Sequence, residues 1–222
     1  ISSARQKEPR VVCMWSGGKD SFLSYVLAKD AGHDAKPLFV TKLNMFGHRK
    51  NYDVNFSFAD LRCILDQSRH FGADHLFVFS KHKCIVQQYE DISTYLREKY
   101  DMETMIYGDI FPSIEEWKKG KTGCGACTVR ASTKQNTGVE PLFPLEGLSI
   151  EDILELIEQH GIRAFIFGVS SEKITPILGE FVSLELMKDQ LIYGSKDFDP
   201  LGENGNYQTL VTGYGDMDFK KS

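Results

Sequence analysis

Short apolar runs alternate with amphipathic stretches along most of the chain. Val11-Val12-Cys13-Met14-Trp15 is a buried-strand pattern, and Ser16-Gly17-Gly18 follows it directly. From Ser21 to Ala31 apolar residues recur at helical spacing (Phe22, Leu23, Tyr25, Val26, Leu27, Ala31), and Gly32 stands where a helix stops. Pro37-Leu38-Phe39-Val40 then centres a second strand between Lys36 and Leu43. Strand, glycine loop, helix and strand make a βαβ unit, which builds a parallel sheet with right-handed crossovers.

The alternation continues. The pattern predicts a helix from Phe58 to Phe71, a strand at His75 to Phe79, a helix from Ile85 to Tyr100 and a strand over Met105 to Asp109. Ser113 to Gly138 lacks periodicity and carries several glycines, which predicts a loop or an insertion. Val139 to Leu145 is a strand interrupted by two prolines, and a seam between two lobes is placed near Val139. Ser149 caps a helix that runs to about His160, with Asp152 at its third position in the aspartate form of a capping box. Arg163 to Val169 reads as a strand and Phe181 to Gln190 as a helix. The fold class is therefore α/β, a parallel sheet flanked by helices with a smaller C-terminal α/β lobe. Its expected division is a frayed tail over 1–10, a first domain over 11–138 and a second lobe over 139–222.

Composition narrows this picture only in places. In 222 residues, 41% hydrophobic content supplies a sizeable core, and a formal net charge of -5 argues against a dedicated nucleic-acid binder. No secretory leader or bilayer-long apolar run stands out, and the five cysteines are an odd number. The expectation is a cytoplasmic protein with reduced thiols.

The chemistry concentrates at the first strand-to-helix junction. A glycine pair lets the backbone turn and bares its N–H groups, while the following helix points its positive end into the same space. That combination binds an anion of phosphate size. Ser16 and Ser21 add hydroxyls and Lys19 a positive charge. Asp20 would repel bare phosphate, so it fits either a Mg²⁺ ion or a helix cap. A plain turn with a capped helix is the simpler alternative, but six adjacent residues agree on the anion site. Neither G-x-x-x-x-G-K-[ST] nor G-x-G-x-x-G is present.

Ser16-Gly17-Gly18-Lys19-Asp20-Ser21 closely resembles the pyrophosphate loop of the PP-loop ATP pyrophosphatase superfamily. Within it the chain resembles the diphthine–ammonia ligase-like family. The segments that carry this are Tyr107-Gly108-Asp109-Ile110, Glu140-Pro141-Leu142-Phe143-Pro144-Leu145, and the run from Asp199 to Thr209 (DPLGENGNYQT). The chain departs from the family pattern at Phe143, Asn206 and Gln208, and the run from Lys118 to Gly138 looks inserted.

The resemblance implies a HUP-type nucleotide domain (adenine nucleotide alpha hydrolase-like) and an ATP-dependent, AMP- and pyrophosphate-forming amide ligase. Such an enzyme adenylates a carboxylate, on a protein (the diphthine of elongation factor 2) or a small molecule, which ammonia or an amine then attacks. It implies ATP and Mg²⁺ as cofactors, with Ser16, Gly17, Gly18, Lys19, Asp20, Ser21 and Asp109 binding ATP. Lys19, Asp20 and Glu203 become the catalytic candidates, and Glu203, Asn204, Gly205, Tyr207 and Thr209 the acceptor-binding ones. Asn204-Gly205 is also a strong hairpin-turn signal. Asp20 is the candidate Mg²⁺ ligand.

Cys124 and Cys127 form a CxxC. The alternatives there are two free thiols, half a zinc site, a redox dithiol or a sulfur carrier. Cys63, Cys84, His70 or His82 could complete a zinc site if folding brought them together, and a homodimer sharing two pairs is another route. Two competing assignments follow: an ATP-dependent tRNA sulfur-insertion enzyme using Cys124 and Cys127, and a non-catalytic adenine-nucleotide-binding protein. No membrane partner is expected.

Overall fold

The computed structural model describes residues 11–33, 37–44, 58–80, 85–110, 133–193, 198–202 and 207–219. Five parallel strands form the first sheet: β1 (Val11–Met14), β2 (Leu38–Asn44), β3 (Asp74–Ser80), β4 (Thr104–Ile106) and β5 (Glu140–Leu142), in the order β3-β2-β1-β4-β5. Helices α1 (Lys19–Asp30), α2 (Phe58–His70) and α3 (Ile85–Tyr100) connect them.

Strand alternation distributes the two faces. Cys13, Trp15, Phe39 and Ile106 pack in one cluster with Phe22 of α1 and Cys63 and Ile64 of α2. Val12, Leu38, Val40, Met105 and Tyr107 pack in the other with Ile92 and Leu96 of α3. The chain therefore winds one way from β1 through α1 and α2, and the other way from α3 onward. Its switch point lies between β1 and β4, where open α/β sheets place their ligands.

A second, antiparallel sheet holds β6 (Ile162–Val169), β7 (Tyr207–Tyr214) and β8 (Met217–Asp218). Helices α4 (Ile150–Gln159) and α5 (Leu184–Tyr193) and a 3₁₀ turn, Glu172–Ile177, accompany it. Ser149 accepts from the Asp152 N–H and Asp152 accepts from the Ser149 N–H, so the aspartate capping box forms.

Three expectations are corrected. The first sheet extends past Val139, because β5 pairs with β4 (Glu140 N–H to Glu103 O, 2.8 Å; Tyr107 N–H to Leu142 O, 2.9 Å). Pro141 is tolerated there because β5 is an edge strand, where a missing N–H breaks no ladder bond. The last long helix starts at Leu184 rather than Phe181. Phe181 bridges to Phe165 and the Val182 N–H bonds Ala164 O, so the β6 edge holds this segment extended. β4 ends at Ile106, short of Asp109. The two sheets share one core: Ile153, Ile162, Ile166, Leu210 and Val211 join Trp15 and Phe22 in a single cluster.

Candidate functional site

The junction after β1 is a glycine corner. Gly17 has φ 76° and Gly18, at φ -82° and ψ 171°, is the residue before α1. No side chain caps that helix start in the usual way. Instead the loop's own hydroxyls occupy its N–H groups. The Gly18 N–H donates to Ser16 Oγ (3.3 Å), the Ser16 N–H to Ser21 Oγ (3.3 Å), and the two hydroxyls lie 3.0 Å apart. The Lys19 N–H donates to Thr209 Oγ1 (3.2 Å), across 190 residues of sequence. Each of these hydroxyl oxygens stands where an anion's oxygen can take the same donor.

Lys19 is 2% exposed. Its ammonium donates to both carboxylate oxygens of Asp20 (2.7 Å each) and to Leu201 O (2.5 Å), and lies 5.6 Å from the Tyr207 ring centroid. Tyr207 donates its hydroxyl to Pro200 O (2.5 Å), and the Leu201 N–H bonds Asp199 Oδ1 (2.9 Å). Residues 199–202 and β7 thus form the wall opposite α1. The cleft between them measures about 130 Å³ and is lined by Ser16, Gly18, Lys19, Asp20, Leu201 and Thr209, among others. That is below the ~300–1,000 Å³ of drug-sized ligand pockets and suits a phosphate group rather than a whole nucleotide.

Gly108 presses against the opposite side of the helix start. A Cβ there would fall 2.6 Å from Ser21 N. This contact seats Asp109 at the switch point beside Asp20. Burial first, and then the Asp20 charge, push the Asp109 carboxyl up to about 6, with Lys42 opposing. Burial likewise raises Asp20, while Lys19 pulls it down and Asp199 adds to the rise. Carboxylate oxygens suit Mg²⁺, which is commonly held by one or two carboxylates together with substrate phosphates. Asp20 and Asp109 fit that role, although among the described residues no group of three or more His, Cys, Asp or Glu could hold a metal by itself.

The raised Asp109 carboxyl has a stability consequence of definite sign. Its folded value of about 6 lies above the ordinary 3.8. The stability it confers is therefore fully present below pH 3.8 and is lost as pH rises through about 6. Two units correspond to about 3 kcal/mol. Asp109→Asn should match wild type near pH 4 and exceed it by about 3 kcal/mol at pH 7.5. Urea denaturation across pH 4 to 7.5 measures this, and a gap independent of pH would contradict it.

Ser16, Gly17, Gly18, Lys19, Asp20, Ser21, Asp109, Tyr207 and Thr209 are thus brought together. Glu203, Asn204 and Gly205 lie outside the described residues, as do Cys84, His82, Cys124 and Cys127. Cys13 and Cys63 are both buried, and Cys63 donates its thiol to Val211 O (3.2 Å). Burial raises the Cys13 thiol well above its ordinary range. Cys63 is a core residue, packed with Cys13 and Ile64. Gln67, Gly108, Asp199 and Leu201 were not picked out as site residues. Gln67 had a signal: it interrupts the apolar stripe of α2 four residues after Cys63.

No known family pattern matches this chain, and no curated protein is similar to it in sequence. Among solved structures it is similar to the U34-tRNA thiolase NcsA from Methanococcus maripaludis with its 4Fe–4S cluster, at 13% identity over 68% of this chain and 56% of that chain, TM-score 0.42. This chain thus spans just over half the length of that protein. It is also similar to a universal stress protein in complex with cAMP (16% identity, 61% of this chain, 94% of that chain, TM-score 0.36) and to one from Archaeoglobus fulgidus (14%, 61%, 91%, 0.36). At these identities and scores, a function for this chain rests on its own residues.

Proposed function

We propose that this chain is an ATP-dependent amide ligase that forms AMP and pyrophosphate, similar to diphthine–ammonia ligases. One observation carries the reading. At the switch point of a parallel sheet, a positive-φ glycine corner, the first turn of α1 and a buried lysine converge on one phosphate-sized cleft. Supporting it is the placement of Asp109, in the segment that follows β4, close enough to Asp20 to feel its charge.

In the proposed reaction a carboxylate oxygen of the acceptor attacks the α-phosphorus of ATP. The bond from that phosphorus to the bridging oxygen breaks, and pyrophosphate leaves with the electron pair. The nitrogen lone pair of ammonia or an amine then attacks the acyl carbon, AMP departs, and water takes the nitrogen's proton. The loop N–H groups and Lys19 bind the phosphates whose charge grows as the bond breaks. Asp20 and Asp109 would hold Mg²⁺, which when bound neutralises phosphate charge. The wall formed by Leu201 and Thr209 closes one side of the loop and would orient the phosphates for in-line attack.

ATP labelled at the α-phosphate, incubated with MgCl₂, an ammonium salt and elongation factor 2 carrying diphthine as the carboxylate acceptor, is expected to yield AMP with an equal amount of pyrophosphate. ADP and phosphate as the products would refute the ligase. ATP binding without any cleavage would support the adenine-nucleotide-binding alternative. Cys124→Ser with Cys127→Ser is expected to leave pyrophosphate release intact, and its complete loss would favour sulfur insertion instead.

A further inference from the structure

Gln67 is fully buried on α2, yet its amide meets two segments distant in sequence, the β1–α1 corner and β7. Its Oε1 accepts from the Trp15 indole N–H (2.8 Å). That bond fixes the orientation of the amide and turns its NH₂ toward two carbonyls, Val211 O (2.6 Å) and Gly17 O (3.2 Å). The Gly17 carbonyl also accepts from the Val211 N–H (2.8 Å). It is thus held inward by two donors, from α2 and β7.

In a trans peptide the C=O and the following N–H point in opposite directions. Holding Gly17 O inward therefore turns the Gly18 N–H outward, onto the side of the cleft that Ser16 and Gly18 line. Glycine flanks this peptide on both sides, so rotation meets little steric resistance. A flipped peptide would aim a carbonyl oxygen at the bound phosphate and replace attraction by repulsion.

We infer that Gln67 is a positioning residue that locks the polarity of the Gly17–Gly18 peptide, so that the loop presents an N–H and not a carbonyl to a pyrophosphate-type anion. This inference rests on the proposed phosphate-binding reading and names what keeps that site competent. The lock acts through the loop backbone, without contact between Gln67 and the ligand.

Calorimetry with inorganic pyrophosphate and with ATP tests it on three proteins. Gln67→Met fills the same volume but offers no donor. Ser68→Ala, one residue along α2, removes a buried hydroxyl that bonds Ile64 O (3.0 Å) and His75 Nδ1 (2.7 Å), away from the loop. Both variants are expected to lower Tm, and Gln67→Met alone to weaken pyrophosphate binding 10- to 100-fold. Equal affinity in Gln67→Met and wild type would overturn the inference. Should Gln67→Met fail to fold, NMR of wild type decides. Pyrophosphate is expected to shift the Gly18 ¹⁵N resonance while the Gly17 ¹³C′ resonance stays in place, and a large shift of Gly17 ¹³C′ would overturn the lock. A wild type that binds neither pyrophosphate nor ATP would instead remove the phosphate-binding reading itself.

Discussion

Lys19→Met should weaken ATP and pyrophosphate binding by at least ~100-fold, which corresponds to about 2.7 kcal/mol, within the ~1.5–3 kcal/mol range of charge-assisted hydrogen bonds. The ammonium is 2% exposed and already donates to Asp20 and Leu201 O, so part of its attraction to phosphate is offset by leaving those partners. The same change strips Asp20 of its counterion. Breaking a fully buried pair costs ~3–5 kcal/mol, but the Asp20 side chain is 22% exposed, so ~1–3 kcal/mol is the expected loss of stability. Because burial already raises the Asp20 carboxyl, loss of Lys19 raises it further. The sign follows: Lys19→Met is less destabilising in acid, where Asp20 is protonated, than at pH 8. Adding Asp20→Asn should restore much of the stability and none of the affinity, a separation that urea denaturation and calorimetry measure side by side. If Lys19→Met bound ATP like wild type, the loop would not be the phosphate site.

Gly108→Ala is the second. Its added methyl would sit 2.6 Å from Ser21 N, 2.7 Å from Ser21 Cα and 2.9 Å from the Asp20 carbonyl carbon, all backbone atoms of the first turn of α1. No rotamer change relieves such contacts, so either α1 or the end of β4 must shift by about 1 Å to reach ordinary separations. Overpacking of this kind costs about 1–3 kcal/mol, and a misplacement of ~1 Å at a binding site can cost ~10²-fold. Gly147→Ala is the control. It has φ 80° and no atom within 4 Å of an added Cβ, so it brings backbone strain of ~1–2 kcal/mol with unchanged nucleotide affinity. Equal affinity in the Gly108 and Gly147 variants would show that the seating of α1 on β4 is irrelevant to the site.

Local order was well expressed in the chain. The apolar run at Val11 to Trp15, the glycine pair and the 3.6-residue spacing of α1 follow from short-range sterics and periodicity, and each forms where the pattern places it. The Ser149–Asp152 box is a four-residue event and needs no tertiary partner. Phe181 failed for the opposite reason: its helical spacing yields to the edge of β6, distant in sequence, which offers backbone bonds that the helix would forgo.

The candidate site divides along the same line. Ser16 to Ser21 are contiguous, and their glycine corner and helix start were legible from residue type alone. What completes the loop comes from far along the chain. Thr209 serves the Lys19 N–H across 190 residues, Leu201 holds the Lys19 ammonium across 182, and Gln67 reaches Gly17 across 50. No periodicity encodes those meetings, because they depend on β7 docking its edge against the β1–α1 corner. Sequence by itself determined the loop, its helix and the parallel sheet, since these arise from backbone geometry within a few residues. Tertiary structure alone decided which way the Gly17–Gly18 peptide faces, where the lysine charge rests and how high the Asp109 carboxyl titrates, because burial and distant partners set all three.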